Sequence, residues 1–203
     1  FGYFLFSLYW IVISLTFDQS FKFLIPVAVI LLPAFLAIFY GLITYLFSIL
    51  YSKNVASSFF IFSILFGTAE FIRGSVLTGF PWNLISFSFS NSIYFIQILS
   101  IIGTYSFNLI CISLFTVPAL FILRKSKTEI MICFLFIFVS AGFLIFGHIK
   151  NDNYNSLESV KNSYTIRALS PNISLDRFYS KQDEFKIINE LIEMSAPTKN
   201  EPT

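Results

Sequence analysis

Charged residues are scarce in this sequence. Asp, Glu, Lys and Arg make up 12% of its 203 residues, about half of the roughly 25% that is usual in soluble domains. Hydrophobic residues make up 56%, with 28 Phe and 10 Tyr, and the mean hydropathy is +0.78. A water-soluble domain of this size could not bury so much aromatic surface. The composition therefore indicates a protein whose solvent is largely lipid.

Residues for metal or nucleophile chemistry are equally few. The chain has two cysteines and one histidine. Cys111 and Cys133 lie inside apolar runs and form no CxxC pair, which excludes a disulfide framework and favours small hydrophobic side chains within helices. His148 has no partners for a catalytic triad nearby. We expect no metal site, no cofactor and no complete catalytic set in this chain.

The few charges are unevenly distributed. Residues 1–150 hold seven Lys/Arg and three Asp/Glu, a balance of +4, whereas residues 151–203 hold six and eight, a balance of −2. The basic excess is small and lies between apolar segments. It therefore indicates membrane topology and not a nucleic-acid surface, and no nucleic-acid partner is expected.

Five segments are apolar over about the 17–25 residues that a bilayer-spanning helix needs. They are Phe1–Phe17, Ile25–Tyr51, Val55–Gly74, Thr104–Leu123 and Ile130–Ile149. The predicted fold class is an α-helical membrane bundle over residues 1–150. The link over residues 75–103 is too short to span, and we predict a loop followed by an interfacial helix there.

Basic residues in short loops predict the orientation, because Lys and Arg accumulate on the cytoplasmic side. Arg124, Lys125 and Lys127 follow the fourth segment, and Lys53 follows the second. These loops are assigned to the cytoplasm. The link over residues 75–103 and the acidic tail then face outward, into the periplasm of a bacterium.

Hydropathy falls sharply after His148. Residues 151–163 are polar and are predicted to be a tether. Residues 164–203 predict one strand, Tyr164–Asn172, then a capping box at Ser180 and Asp183. An apolar stripe at helical spacing follows, formed by Phe185, Ile188, Leu191 and Ile192. One strand and one helix cannot bury a core alone, so we expect the start of a larger α/β domain.

Glu70 and Arg73 are the ionisable residues of the third predicted span. Three residues apart on a helix, they share a face and can pair. Intramembrane charges often mark a functional surface, here contact with lipid headgroups. The alternative is structural: Arg73 extends to the headgroups and Glu70 is its counter-ion.

The stretch after this pair combines a flexible Gly, a rigid Pro and an interfacial Trp. As a bare pattern it is typical of a loop with a membrane anchor, and it is also a candidate lipid or substrate entrance on the same membrane side as the charge pair. Its residues are Gly79, Phe80, Pro81, Trp82 and Asn83, with Gln97 and Tyr105 as further polar points near that surface.

These residues resemble a known family. The sequences Glu70-Phe71-Ile72-Arg73-Gly74 and Thr78-Gly79-Phe80-Pro81-Trp82-Asn83, followed by Gln97, Gly103-Thr104-Tyr105 and Pro171-Asn172-Ile173, are similar in type and order to bacterial apolipoprotein N-acyltransferases. One departure is Ser170, where the family usually has Gln. The resemblance covers essentially the whole chain.

The resemblance implies an inner-membrane enzyme that moves a fatty acyl chain from a phospholipid to the α-amine of the N-terminal diacylglyceryl-cysteine of an apolipoprotein. A periplasmic nitrilase-like (carbon–nitrogen hydrolase) sandwich domain performs this reaction in the family. Its Cys thiolate forms a thioester, helped by a Glu base and a Lys. The expected donor and acceptor partners are the phospholipid and the apolipoprotein.

The resemblance places all three catalytic residues after Thr203, so the chain is expected to be an inactive fragment that lacks sequence at both ends. Two other functions stay open. One is a membrane scaffold for an attached enzyme, as in some polyprenol-phosphate sugar transferases. The other is a small transporter, which the lack of paired half-helix repeats disfavours.

Overall fold

The computed structural model describes residues 1–76, 79–157, 168–170 and 184–196. This part of the chain is helical and contains no strand. Its α-helices are α1 (Gly2–Leu8), α2 (Ile25–Leu50), α3 (Val55–Ser75), α4 (Ile93–Ile96), α5 (Leu99–Leu123), α6 (Lys127–Asn155) and α7 (Glu184–Ser195). Short 3-10 helices occupy Tyr9–Thr16, Gln19–Leu24 and Ile85–Phe89.

The chain divides into two compact units. The first consists of Phe1–Leu8 and Val29–Leu157, and contains α1, most of α2 and all of α3 to α6. The second includes Tyr9–Ala28, with the first two 3-10 helices, and α7.

Four helical stretches of the described chain are long and apolar enough to cross a membrane: Gln19–Leu50, Val55–Ser75, Leu99–Leu123 and Lys127–Asn155. Their outer faces are apolar, since Ile122 and Phe138 are 76% and 78% exposed. Large side chains exposed at this density fit hydrocarbon and not water. The prediction of a multi-pass membrane bundle is confirmed.

The predicted count of five spans is wrong, because Phe1–Phe17 does not form a membrane-length helix. It folds as the seven-residue α1 followed by an eight-residue 3-10 helix, Tyr9–Thr16. Three successive β-branched residues, Ile11 to Ile13, disfavour continuation of the α-helix. Instead of spanning, α1 buries Phe4 and Leu8.

The link before α5 is more deeply packed than predicted. The expected interfacial helix is reduced to the four residues of α4, whose Phe95 is 5% exposed. Phe95 packs with Phe107 and Cys111 of α5 in one hydrophobic cluster. One side of this segment therefore belongs to the core of the bundle, and contact of its other side with headgroups stays a prediction.

Beyond the last span, α6 continues to Asn155, so the first residues of the predicted tether are helical. Hydropathy shows where the apolar surface of a helix ends, but the helix itself can continue with polar residues. Here the polar last turns include His148 and Asp152, whose Nε2 and Oδ2 atoms lie 3.4 Å apart one turn from each other. The predicted helix around Ile188 is observed as α7. The capping box at Ser180 lies outside the described residues, as does most of the strand Tyr164–Asn172, and residues 168–170 form no strand.

Close approach of α6 to α4 depends on Gly147, which is buried. A Cβ atom at this position would overlap the backbone carbonyl of Tyr94. Backbone cannot move aside as a flexible side chain can, so one helix must shift if the methyl group is added. Gly142 lies in the same helix, and a Cβ atom there would meet nothing within 4 Å.

Gly147→Ala is therefore expected to destabilise the protein by about 1–3 kcal/mol through overpacking. Gly142→Ala is the matched control and should cost no stability, since Ala is the better helix former. The midpoint of thermal unfolding in a mild detergent measures both. Equal midpoints for the two variants would contradict the close contact of α4 and α6.

Candidate functional site

Glu70 and Arg73 lie in the last two turns of α3 and face the interior of the bundle. They are 0% and 2% exposed, and Arg73 Nη2 lies 3.4 Å from Glu70 Oε1. The predicted pairing is confirmed. The guanidinium is enclosed by protein and does not reach the surface of the bundle, whereas the structural alternative expected it to extend to the headgroups.

Two other helices donate hydrogen bonds to the Glu70 carboxylate. The Tyr40 hydroxyl of α2 donates to Oε1 at 2.7 Å, and Asn108 Nδ2 of α5 donates to Oε2 at 2.6 Å. Asn108 Oδ1 in turn accepts from the backbone N–H of Ser86 at 2.9 Å. Hydrogen bonds to a charged acceptor are stronger than neutral ones, especially in a low dielectric. This carboxylate therefore joins α2, α3 and α5.

Arg73 connects the pair to the loop that follows α3. Its Nη1 donates to the backbone carbonyl of Trp82 at 2.8 Å, and its guanidinium lies 5.5 Å from the centroid of the Phe4 ring. Phe4 is fully buried and its ring also packs at 5.0 Å from that of Tyr40. The aromatic ring of α1 therefore covers the ion pair, which adds a cation–π contact and keeps water out.

The loop over residues 79–83 turns sharply back onto α3. The N–H of Phe80 donates to the carbonyl of Arg73 at 2.9 Å. Gly79 has φ +75°, and a Cβ atom there would overlap the carbonyl oxygen of Gly74, so both the backbone angle and the space require glycine. Leu77 and Thr78 lie outside the described residues.

Asn83 closes the loop against α1. Its φ of 59° is in the left-handed region, which Asn tolerates better than most residues. Its Nδ2 donates to Ser7 Oγ at 2.7 Å, and its carbonyl accepts from the Tyr3 hydroxyl at 3.3 Å. With both ends fixed, the loop presents Pro81 and Trp82 outward, and Trp82 is 53% exposed.

The remaining candidates lie apart from this network. Tyr105 of α5 packs edge-on against Phe71 at 5.1 Å, and its hydroxyl lies where a Cβ atom on Gly74 would be. Gln97 follows α4, and its backbone carbonyl accepts a hydrogen bond from Ser100 Oγ at 2.8 Å. In the part of the chain that the structure describes, Gln97 forms no hydrogen bond to the Glu70 cluster.

Sequence reasoning missed the residues that surround the pair, namely Phe4, Tyr40 and Asn108. One signal was available: Asn108 is the single amide side chain in the predicted span Thr104–Leu123. A polar amide in a membrane helix requires a partner. Tyr40 and Phe4 carry no such signal among so many aromatic residues.

Among the described residues, the hydrogen-bonded network around Glu70 contains no Cys or His side chain. No group of three or more His, Cys, Asp or Glu able to hold a metal occurs within residues 1–76, 79–157, 168–170 and 184–196. Cys111 and Cys133 are both buried in helices as free thiols. The arrangement around Glu70 can fix helices and a loop, but it contains no group placed to form a covalent intermediate.

Removing one charge of the buried pair should be costly. Glu70→Gln leaves the Arg73 guanidinium buried without a counter-ion, and we expect it to lower stability by about 3–5 kcal/mol. The double variant Glu70→Gln/Arg73→Met removes both charges at similar volume and should be more stable than Glu70→Gln alone. Denaturation in detergent measures both. If the losses of stability caused by Glu70→Gln and by Arg73→Met simply added in the double variant, this would contradict an energetic coupling between the two side chains.

Comparisons with known proteins agree with the resemblance noted above. The sequence model described as the apolipoprotein N-acyltransferase N-terminal domain matches residues 1–116, which include the whole Glu70 network. No solved structure matches the chain.

Three curated relatives named apolipoprotein N-acyltransferase are similar to this chain, and two of them match nearly all of it. The Allorhizobium ampelinum protein is 29% identical over 200 residues, covering 97% of this chain and 36% of the relative. The Brucella melitensis protein is 28% identical over 206 residues, covering 100% of this chain and 38% of the relative. The Rhizobium leguminosarum protein is 37% identical over 121 residues, covering 59% and 22%.

The chain thus spans a little over a third of the length of the relatives that it matches throughout. The match to the family model extends over more than half of the chain and includes the Glu70–Arg73 pair of α3. This chain therefore belongs to the apolipoprotein N-acyltransferase family, in the region of its N-terminal membrane domain.

Proposed function

We propose that the whole protein transfers a fatty acyl chain from a membrane phospholipid to the α-amine of an N-terminal diacylglyceryl-cysteine on an apolipoprotein. The observation that carries this proposal is the family match over residues 1–116. The names of the relatives support the acylation of lipoproteins at the level of the family. In our proposal, helices α1 to α6 form the membrane part of that enzyme.

The proposed reaction has two steps. A Cys thiolate attacks the ester carbonyl of the phospholipid, an S–C bond forms and the lysophospholipid leaves as its alcohol. The lipoprotein amine then attacks the thioester, an amide forms and the thiol is released. A Glu serves as the base and a Lys stabilises the oxyanion. We place these three residues after Thr203, in a nitrilase-like domain that begins in residues 164–203 and faces the periplasm.

Helix α7 supports the presence of such a domain. Ile188 and Ile192 lie on one face of the helix and are 50% and 59% exposed. A surface helix normally buries its apolar stripe against another element. In our proposal the remaining part of the nitrilase-like domain covers this stripe.

Burial divides the predicted entrance residues into two roles. Glu70 and Arg73 are enclosed, so in our proposal they position the loop and do not touch substrate. Pro81 and Trp82 are the exposed members of the set. We infer that Trp82 lies at headgroup depth in the outer leaflet of the bacterial inner membrane, where indole rings are favoured, and meets the phospholipid that enters the site.

The activity can be tested with the full-length protein in vesicles of a diester phospholipid and a synthetic diacylglyceryl lipopeptide. Mass spectrometry should find the lipopeptide heavier by one acyl group and an equal amount of lysophospholipid. Vesicles of the ether-linked analogue are the control and should give no product, since an ether has no acyl group to donate. Absence of transfer from the diester lipid, with sugar transfer to or from a polyprenol phosphate, would favour the scaffold alternative.

The role of Trp82 predicts a selective kinetic effect. In the full-length enzyme, Trp82→Ala should raise KM for the phospholipid about threefold to tenfold, because that is the affinity lost with one aromatic contact. It should leave kcat nearly unchanged. Phe87→Ala is the matched control, because Phe87 is a comparably exposed aromatic residue (46%) in the following 3-10 helix. Equal KM values for Trp82→Ala and the unmodified enzyme would contradict a lipid contact at the loop.

A further inference from the structure

An apolar groove opens between α2, α3 and α5, far along the helices from the Glu70 network. Its volume is about 280 Å³, and its lining includes Phe47, Phe62, Ala119 and Leu120. It adjoins the hydrophobic cluster of Phe59 with α5 and α6 residues, which lies at the beginning of α3 and the end of α5. The groove is therefore at the opposite end of α3 from Glu70.

The surface of the groove that an occupant would contact is almost entirely apolar. Its two hydroxyl groups belong to Ser58 and Thr116. Ser58 Oγ donates to the carbonyl of Ser52 at 2.7 Å, and Thr116 Oγ1 donates to the carbonyl of Ile112 at 2.7 Å. With both donors used, the groove has no free donor with which to recognise a polar ligand. An alkyl chain suits it because it needs no hydrogen bond.

Basic residues stand at the end of this groove. Val55 and Leu123 both line it; Lys53 precedes Val55 by two residues, and Arg124 and Lys125 directly follow Leu123. Lys127 begins α6 in the same connection. All four side chains are exposed, and none forms an ion pair with another described residue.

One acidic residue lies in the same region, and it is already engaged. Glu129 is buried, and its carboxylate accepts from the N–H and hydroxyl of Ser126 in a capping box. The exposed charge at the groove's end is therefore positive. Arg124 is also partly fixed: its guanidinium lies 4.0 Å from the Phe121 ring centroid, and its Nη1 donates to the Phe121 carbonyl at 2.5 Å. Its remaining N–H groups stay available for an anion.

We propose that this groove binds one anionic phospholipid, with an acyl chain between α2, α3 and α5 and its phosphate at Lys53, Arg124 and Lys125. Basic rims of intramembrane grooves recognise anionic headgroups in this way. The site lies on the side that the basic loops assign to the cytoplasm, opposite the proposed entrance at Trp82. The inference stands independently of the proposed acyl transfer.

Native mass spectrometry of the full-length protein, with dioleoyl phosphatidylglycerol or dioleoyl phosphatidylcholine added, tests the proposal. We expect preferential retention of phosphatidylglycerol. Arg124→Gln/Lys125→Gln should weaken its binding about twenty-five-fold, from roughly fivefold for each of the two lost charges near a membrane surface. Arg124→Lys, which keeps the charge, should bind nearly as well as the unmodified protein. Lys22→Gln is the control for the loss of an exposed lysine elsewhere.

The groove itself is tested by Ala119→Leu, which fills space beside the exposed Ala119 side chain. Ala141→Leu is the control at an exposed alanine of α6. Weaker phosphatidylglycerol binding in the first variant alone supports the proposal. Equal retention of both lipids by the unmodified protein would overturn it. Weaker phosphatidylglycerol binding in Arg124→Gln/Lys125→Gln but not in Ala119→Leu would also overturn it. A change of oligomeric state in Ala119→Leu, seen by light scattering, would also overturn it by showing that a second copy occupies the groove.

Discussion

A carboxylate and a guanidinium buried in the membrane bundle cannot be left unpaired, and this constraint determines how the first unit is assembled. Glu70 and Arg73 neutralise each other, and the polar groups of Tyr40, Asn108 and the Trp82 backbone satisfy much of their remaining hydrogen-bonding capacity. Each of these partners comes from a different segment. If α2, α5 or the loop after α3 moved away, a charged group would lose a partner in a low-dielectric interior. The pair therefore selects one arrangement of these segments among many apolar alternatives.

Specificity of this kind is especially useful here, because the rest of the packing is chemically uniform. Phe, Ile and Leu side chains cover most helix faces, and lipid tails are as apolar as those side chains, so hydrophobic contacts alone discriminate weakly between helix arrangements. The network also links the bundle to the proposed function. It bonds to the loop that carries Trp82, and in our proposal the reaction itself takes place in a domain outside the membrane.

The positions of the long helices and the Glu70–Arg73 pair could be predicted from the sequence, because both depend on residues that are close together in the chain. Length and hydropathy predicted α2, α3, α5 and α6 with ends within six residues of the observed ones, since a spanning helix needs a continuous apolar run. Spacing predicted the Glu70–Arg73 pair. The same signal failed for Phe1–Phe17, because hydropathy registers neither the lower helix propensity of β-branched residues nor the packing of Phe4 against the Arg73 guanidinium. Burial of the pair was also not predictable, since it depends on Asn108 and Tyr40, which are distant in sequence.

The central claim is that the ion pair holds the loop of residues 79–83 in place. Hydrogen–deuterium exchange tests it most directly, because the Phe80 N–H is bonded to the Arg73 carbonyl. In the full-length protein, the hydrogen-bonded amides of Gly79 and Phe80 should exchange slowly. In Glu70→Gln they should exchange at least tenfold faster, while amides in the middle of α6 keep their rates. Unchanged loop exchange in a folded Glu70→Gln protein would contradict the account.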